Sequence, residues 1–279
     1  MPTLREQMIM EMELRNLAQR TIKDYVEHVA RFAKHYNCSP NKLGDKHIRE
    51  YLHYLLAEKK FSWSYVNVTY CALKFLYKNV LHRPWNIDTI PPPKTGVKLP
   101  EILSEEEVAC LLKAPTNLKH KMILMVAYSG GLRVSEIVNL KLTDIDSKRM
   151  LIRVEQGKGR KDRYTLLSEP LLTELRLYYK RFKPQHYLFE GRIPGKPLST
   201  ATPQAVFNQA KTAAGIKKNV RFHTLRHCFA THLMEAGVDI FTIKNLMGHR
   251  SIQTTLRYVR VRHEHLQKVV SPLDKLLGD

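Results

Sequence analysis

This 279-residue sequence predicts a mainly α-helical protein with one small antiparallel β-sheet, arranged as two domains. Three observations carry that prediction. Long stretches place apolar residues at three- and four-residue steps, the period of a helix with one buried face. One pair of short alternating runs flanks a basic, glycine-bearing tip, which marks a hairpin. A proline-rich break separates the first third of the chain from the rest. With 43% hydrophobic and 26% charged residues, the composition is that of a globular chain, not a disordered basic tail.

A short first helix is expected around Leu4 to Leu14. Ile22, Tyr25, Val26, Val29, Phe32, Ala33 and Tyr36 form the stripe of a second, and Ile48, Tyr51, Leu52, Leu55 and Leu56 that of a third. Val66, Thr69, Leu73, Leu76 and Val80 form a fourth within SWSYVNVTYCALKFLYKNVLH. Residues 1–89 therefore read as a helical bundle. The stretch IPPPKTGVKLPEIL holds four prolines and one glycine, so residues 90–102 read as an extended linker. Residues 103–279 form the second domain. Its first helix is announced by Ser104 and Glu107, the spacing of a capping box.

HKMILMVAYSGG then reads as a buried helix closed by Gly130 and Gly131, with Arg133 in the following turn and Ser135 as the cap of the next helix. MLIRVEQ and RYTLL flank GKGRKD as a β-hairpin whose tip carries Lys158. From about Leu171 the chain is helical again, with a loop at EGRIPGKPLST. In RFHTLRHCFATHLMEAGVD, Thr224 is the expected cap and Gly237 the stop, which puts His223 and Arg226 at a helix start. DIFTIKNLM is a further helix ended by Gly248, leaving His249 in a turn, and Ser251 caps the helix that carries Tyr258. On one straight helix, His249 and Tyr258 would point to opposite sides. The glycine break lets them converge.

Charge narrows the function. Lys and Arg total 46 against 26 Asp and Glu, a net charge of +20, and such a surface seeks a polyanion. No apolar run is long enough for a membrane span and MPTLREQMIMEMEL lacks the features of a signal peptide, so a cytoplasmic protein is expected. Cys38, Cys71, Cys110 and Cys228 are far apart and form no C-x-x-C pair, so they are read as reduced and mostly buried thiols.

A helix start bearing an arginine suits a phosphate, because free N–H groups, the positive end of the dipole and a planar guanidinium fork coincide there. Tyr258 beside cationic groups on such a chain points to attack of a phenolic oxygen on a phosphodiester. Arg133, Arg226 and His249 would stabilise the charge that develops, and His223 and Lys158 are the available base and acid. Lys161 is the rival for the role of Lys158. His223, His227 and His232 raise the question of a metal, but H-E-x-x-H and a placed carboxylate are missing, so no metal and no cofactor are expected. AYSGG is not a G-x-S-x-G elbow, and GKGRKD lacks the spacing of a phosphate loop.

The runs SGGLRVSE, GKGRKDR, HTLRH and GHRSIQTTLRY resemble, in order and approximate spacing, the motifs of the tyrosine recombinase, or phage-integrase-like, family. The resemblance covers the chain from about Leu103, and the N-terminal bundle is similar to that family's SAM-like core-binding domain. It implies an active site of Arg133, Lys158, His223, Arg226, His249 and Tyr258, with Tyr258 as nucleophile and Glu136 in support. It further implies a clamp on double-stranded DNA with paired recombination sites, a 3′-phosphotyrosyl intermediate and a Holliday junction. The implied assembly is a tetramer on DNA, of this chain alone or with a paralogue, associated with the nucleoid. The subgroup resembled is that of chromosome-dimer-resolving recombinases and compact mobile-element integrases. The tail after Tyr258 could dock on a neighbouring protomer or pack in cis. Two other functions remain open at this point: a non-cleaving architectural DNA-binding protein, and a type IB topoisomerase-like enzyme.

Overall fold

The computed structural model describes residues 2–88, 91, 101–155 and 162–259. Most of the expected linker, Lys158 with the rest of the hairpin tip, and the tail from 260 onward lie outside the described residues. The chain divides into two compact units, Met1–Val97 and Lys98–Asp279.

The first unit holds α1 (Leu4–Leu14), α2 (Gln19–Tyr36), α3 (Asp45–Ala57) and α4 (Trp63–Phe75). Each starts where local chemistry permits. Thr3 and Glu6 form a capping box at α1, and the Ser62 hydroxyl accepts from the Tyr65 N–H at α4. Asn37 ends α2 in the left-handed region, which asparagine tolerates better than most side chains. The helical stripes meet in a core where Phe32, Ile48, Val66, Leu73 and Leu76 are fully buried. The sequence pattern carries Val80 on one continuous helix, but after Phe75 the chain widens into a π-helical turn over Leu76–Val80. The Tyr77 hydroxyl there donates to the Pro40 carbonyl at 2.7 Å.

The second unit is also mostly helical. Its elements before the hairpin are α5 (Glu105–Lys113), α6 (Leu118–Ser129) and the five-residue α7 (Val134–Val138). The Ser104–Glu107 capping box is present at α5. Helix α6 runs through the core, with Met122, Ile123, Leu124 and Val126 fully buried. Three antiparallel strands follow, β1 (Ile145–Asp146), β2 (Leu151–Val154) and β3 (Arg163–Leu166), in the order β1-β2-β3. Ile152 faces Thr165, and Val154 faces Arg163. The two-residue β1 is too short to leave a period in the sequence. Among the described residues, five helices follow: α8 (Glu169–Phe182), α9 (Ala201–Ala213), α10 (Thr224–Glu235), α11 (Ile240–Met247) and α12 (Ile252–Val259). Of the four cysteines, Cys228 is buried, Cys110 is exposed, and Cys38 and Cys71 are half-buried, so the expectation of mostly buried thiols holds for one of them. Among the described residues, no helix is long and apolar enough to cross a membrane.

Two expected caps take other roles. Helix α7 begins at Val134, so Ser135 lies inside it, and the Glu136 carboxylate receives the Arg133 N–H that opens the helix. Helix α10 already includes Thr224, whose hydroxyl accepts from the Arg221 N–H in the preceding turn. Ser251 does act at its helix start, accepting from the Gln253 N–H.

Candidate active site

The site is assembled from two glycine turns. At the first, Gly130 caps α6 and Gly131 takes φ +57°. A Cβ at 131 would lie 2.2 Å from the Phe229 ring, so no other residue fits there. The turn presents two things at once: Arg133 at the start of α7, and the Gly131 carbonyl. That carbonyl accepts from Arg226 Nη1 at 2.5 Å.

The second turn ends α11. Gly248 adopts φ +63°, and the Gly248 and His249 N–H groups bond back to α11 carbonyls, which closes the helix and swings His249 away from its axis. The Met247 carbonyl at this turn accepts from Arg226 Nη2. Arg226 thus joins both glycine turns through their backbone, and it is 1% exposed. His249 Nδ1 lies 2.9 Å from the hydroxyl of fully buried Thr255 on α12. Tyr258 is in that same helix, three positions after Thr255.

Glu136 is the hub. Its carboxylate receives the Arg133 N–H at 2.8 Å and Arg133 Nη1 at 2.6 Å. Arg163 adds a fork, Nη1 to Oε1 and Nη2 to Oε2, both at 2.8 Å. Arg226 stands 3.9 Å away. Burial opposes ionisation of Glu136, but the bonds and charge of Arg163 and then Arg133 outweigh it and hold its carboxyl at about 2. The carboxylate is therefore charged at every working pH. Among the described residues, three guanidiniums thus lie around this one carboxylate.

The histidines respond to that charge. Burial first, then Arg226, Arg133 and Arg163, push His249 down to about 3. Burial, Arg226 and Arg133 likewise lower His223. Both rings are therefore neutral near pH 7. His223 stands at the N-cap position of α10, its ring edge-on to His227 at 4.7 Å between centroids. His232 is turned elsewhere, with Nδ1 2.9 Å from the Tyr128 hydroxyl and Nε2 3.0 Å from the Leu103 carbonyl. No group of three metal-binding side chains exists among the described residues.

A groove of about 650 Å³ opens beside Arg133, lined also by Ser135, Glu136, Lys141, Glu155 and Tyr187. Arg133 is more accessible than Arg226, its side chain 21% exposed against 2%. Such a corner can hold a tetrahedral or trigonal-bipyramidal phosphate. Of the residues singled out from sequence, Arg133, Glu136 and Arg226 are in one charge cluster, with His223 and His249 in its field. Arg163 and Thr255 were not singled out. Arg163 was hidden as the last member of a basic run, and Thr255 as an ordinary helix residue.

Comparisons with known proteins identify the family and the fold. Residues 101–265 match the model of the phage integrase family, and residues 4–87 match that of the phage integrase N-terminal SAM-like domain. A Sinorhizobium fredii protein named "Putative integrase/recombinase" is 42% identical over 99% of this chain and 90% of its own length. The tyrosine recombinase XerA of Pyrococcus furiosus is 35% identical, covering 99% of this chain and 98% of that protein. Among solved structures, XerH site-specific recombinase bound to a palindromic difH substrate, in a post-cleavage complex, superposes with a TM-score of 0.74. It is 20% identical, over 93% of this chain and 82% of that one, which is a likeness of fold.

Proposed function

This chain belongs to the phage integrase family and is a tyrosine site-specific recombinase acting on DNA, and from that premise we propose how its residues divide the chemistry. Tyr258 is the nucleophile. Its phenolic oxygen attacks the scissile phosphorus, the bond to the 5′ oxygen breaks, and a 3′-phosphotyrosyl link conserves the phosphodiester. Because one ester replaces another, the reverse attack by a 5′-hydroxyl of a second duplex reseals the strand without an energy source. Two such rounds, through a Holliday junction, exchange both strands.

The observation that carries this assignment is the guanidinium charge around Glu136. A bound phosphodiester brings one negative charge, and a phosphorane-like transition state brings close to two. A cluster rich in guanidinium charge therefore favours the transition state over the ground state, which is the condition for catalysis. Arg133 and Arg226 supply that stabilisation, and Glu136 orients them. His249 contributes a hydrogen bond to a non-bridging oxygen. A tyrosine phenol has a reference pKa of about 10, so its proton needs an acceptor. His223, neutral in the free protein, is suited to take it. Lys158 is the acid for the departing 5′ oxygen. No step calls for a metal or cofactor.

Several proteins of this fold have been seen on DNA, among them XerH on its difH substrate. For this chain the partner is double-stranded DNA carrying paired sites, bound by a tetramer composed of this chain alone or with a paralogue, in the nucleoid. The test begins with a nicked duplex selected from a random pool by covalent capture. On a denaturing gel the protein should form an adduct that Tyr258→Phe abolishes. Binding without any adduct would instead mark an architectural protein. Relaxation of supercoils without exchange between two duplexes would mark a topoisomerase. Deleting residues 262–279 should leave a folded protein that cleaves weakly, with synapsis on a native gel as the readout.

A further inference from the structure

Strand β3 faces the wrong way for its apolar content. In Arg163-Tyr164-Thr165-Leu166, alternation puts Arg163 and Thr165 on one face and Tyr164 and Leu166 on the other. Hydrophobicity alone would bury the tyrosine and the leucine. Instead they are 49% and 39% exposed, while Thr165 is fully buried and the Arg163 side chain is 9% exposed. What holds the strand in this orientation is polar: Thr165 donates to the Gly130 carbonyl at 2.8 Å, and Arg163 makes its fork to Glu136.

Arg163 has a second attachment. Its Nε donates to the Leu246 carbonyl at 2.9 Å, at the end of α11. A Cβ at Gly248 would come within 2.7 Å of Arg163 Cδ, so the turn before His249 is packed onto the stem of this arginine. One side chain therefore touches both the carboxylate that orients Arg133 and the turn that presents His249. We propose that Arg163 is a positioning residue for DNA cleavage, locking Glu136 and the Leu246–Gly248 turn in a single arrangement so that Arg133 and His249 address the same phosphate. Its described contacts are those of a brace, with the fork directed at Glu136 and Nε at a carbonyl.

This inference rests on the placement of Arg133 and His249 at the scissile phosphate. The test uses the full chain, the selected nicked duplex, and the variants Arg163→Gln and Arg163→Lys. DNA affinity should stay within about twofold, since counterion-releasing contacts to the duplex are unchanged. Single-turnover cleavage should fall on the order of 100-fold, the usual cost of a small misplacement of reacting groups. The acid limb of the rate profile should move to higher pH, because Glu136 loses the guanidinium that keeps it ionised. Lysine should not rescue, since an ammonium cannot supply the fork. The double variant Arg163→Gln, Glu136→Gln should cleave faster than the product of the two single losses predicts, because the contact with Glu136 is shared while the bond to the Leu246 carbonyl is not.

Cleavage within twofold of the unaltered protein across the pH range would overturn the proposal. So would a pH-independent loss that is additive with Glu136→Gln. If Arg163→Gln does not fold, Arg163→Lys, which keeps the stem and the charge, supplies the same readouts. Tyr258→Phe is run alongside. An adduct in that variant would refute the placement of the site itself, whereas its absence, together with normal cleavage by the Arg163 variants, would refute only the role of Arg163.

Discussion

The two units bury polarity differently. In the N-terminal bundle the polar atoms at the core are hydroxyls answered by nearby carbonyls, as Tyr70 is by Ile87 at 3.0 Å and Tyr77 by Pro40 at 2.7 Å. The second unit buries hydroxyls such as Thr165 as well, but it adds charges: among the described residues, Glu136, Asp144 and Arg226 are the buried ionic side chains, and all three lie there. Asp144 is paired with Arg153. In the Glu136 cluster, three guanidiniums lie around one carboxylate. A fold that only has to keep its shape neutralises what it buries, because an uncompensated charge in a low-dielectric interior is costly. On the function proposed above, the scissile phosphate brings negative charge to this cluster.

The largest expected effect follows from Arg226. Arg226→Ala should lower single-turnover cleavage by about 10³-fold, near 4 kcal/mol of transition-state stabilisation. Its counterpart in the bundle is Leu73→Ala, which should cost about 2–5 kcal/mol of stability and leave the cleavage rate of folded, DNA-saturated protein unchanged. Trp63 and Trp85 both lie in the bundle, so their fluorescence in a urea titration follows that half. Normal cleavage by Arg226→Ala would remove the contrast between a neutral scaffold and a charged site.

Glu136→Gln comes next. It leaves three guanidiniums without their carboxylate, at a cost of about 3 kcal/mol in the second unit. Glu136 is held at about 2, below its ordinary value of 4.5. Its stabilisation is therefore complete above pH 4.5 and is lost as the pH falls through 2. Circular-dichroism melts of the second unit should lose that acid sensitivity in the variant. An unaltered pH dependence would mean that the carboxylate is not the hub.

How much of this could be read from residues alone differs between the halves for the same reason. The bundle is built from apolar stripes, and stripes are visible: α1, α2, α3 and α4 lie where the spacing puts them. Only the π-turn after Phe75 leaves no period to detect. In the second unit, Arg133, Glu136, His223, Arg226 and His249 were legible as motifs, but the links that gather them were not. Those links end on the carbonyls of Gly131, Leu246 and Met247, and a backbone carbonyl has no letter in a sequence. Arg163 was illegible for a sharper reason. Its strand reverses the hydrophobic alternation, so the rule that locates buried faces points away from it. The cap assignments at Ser135 and Thr224 missed similarly, because Glu136 had already taken the first role and the turn at Arg221 the second.

A milder perturbation compares two glycines. Gly248→Ala must adopt φ +63° and press on Arg163, so a loss of about 2 kcal/mol is expected, with a slower cleavage rate. Gly44 in the bundle has φ −140° and nothing within 4 Å of an added Cβ. Gly44→Ala should change stability by no more than about 0.5 kcal/mol. Equal costs at the two positions would mean that the turn before His249 is no tighter than a surface cap.

The smallest effect is also the most specific, because it concerns the same residue type in both halves. His28 in the bundle and His249 are both lowered, each chiefly by burial and then by arginine charge. In the unfolded chain each has a pKa near 6.5. Below that value the unfolded state takes up protons that the folded state refuses, so stability is full above pH 6.5 and declines as the pH falls. For His249 the loss continues towards its folded value of about 3. At pH 5.5, after discounting for partial solvent exposure, it amounts to about 1 kcal/mol. Phosphate should separate the two histidines. An anion near Arg226, Arg133 and Arg163 cancels much of the charge that depresses His249, whereas the charge that lowers His28 is that of Arg31, already paired with Glu27 and opposed by Glu27 and Asp24. Melts at pH 5.5 and 7.5, with and without inorganic phosphate at matched ionic strength, should show phosphate relieving the acid loss in the unaltered protein and in His28→Asn. In His249→Asn the relief should shrink. Equal relief in all three would mean that the guanidinium charge around Glu136 is not what the anion reads.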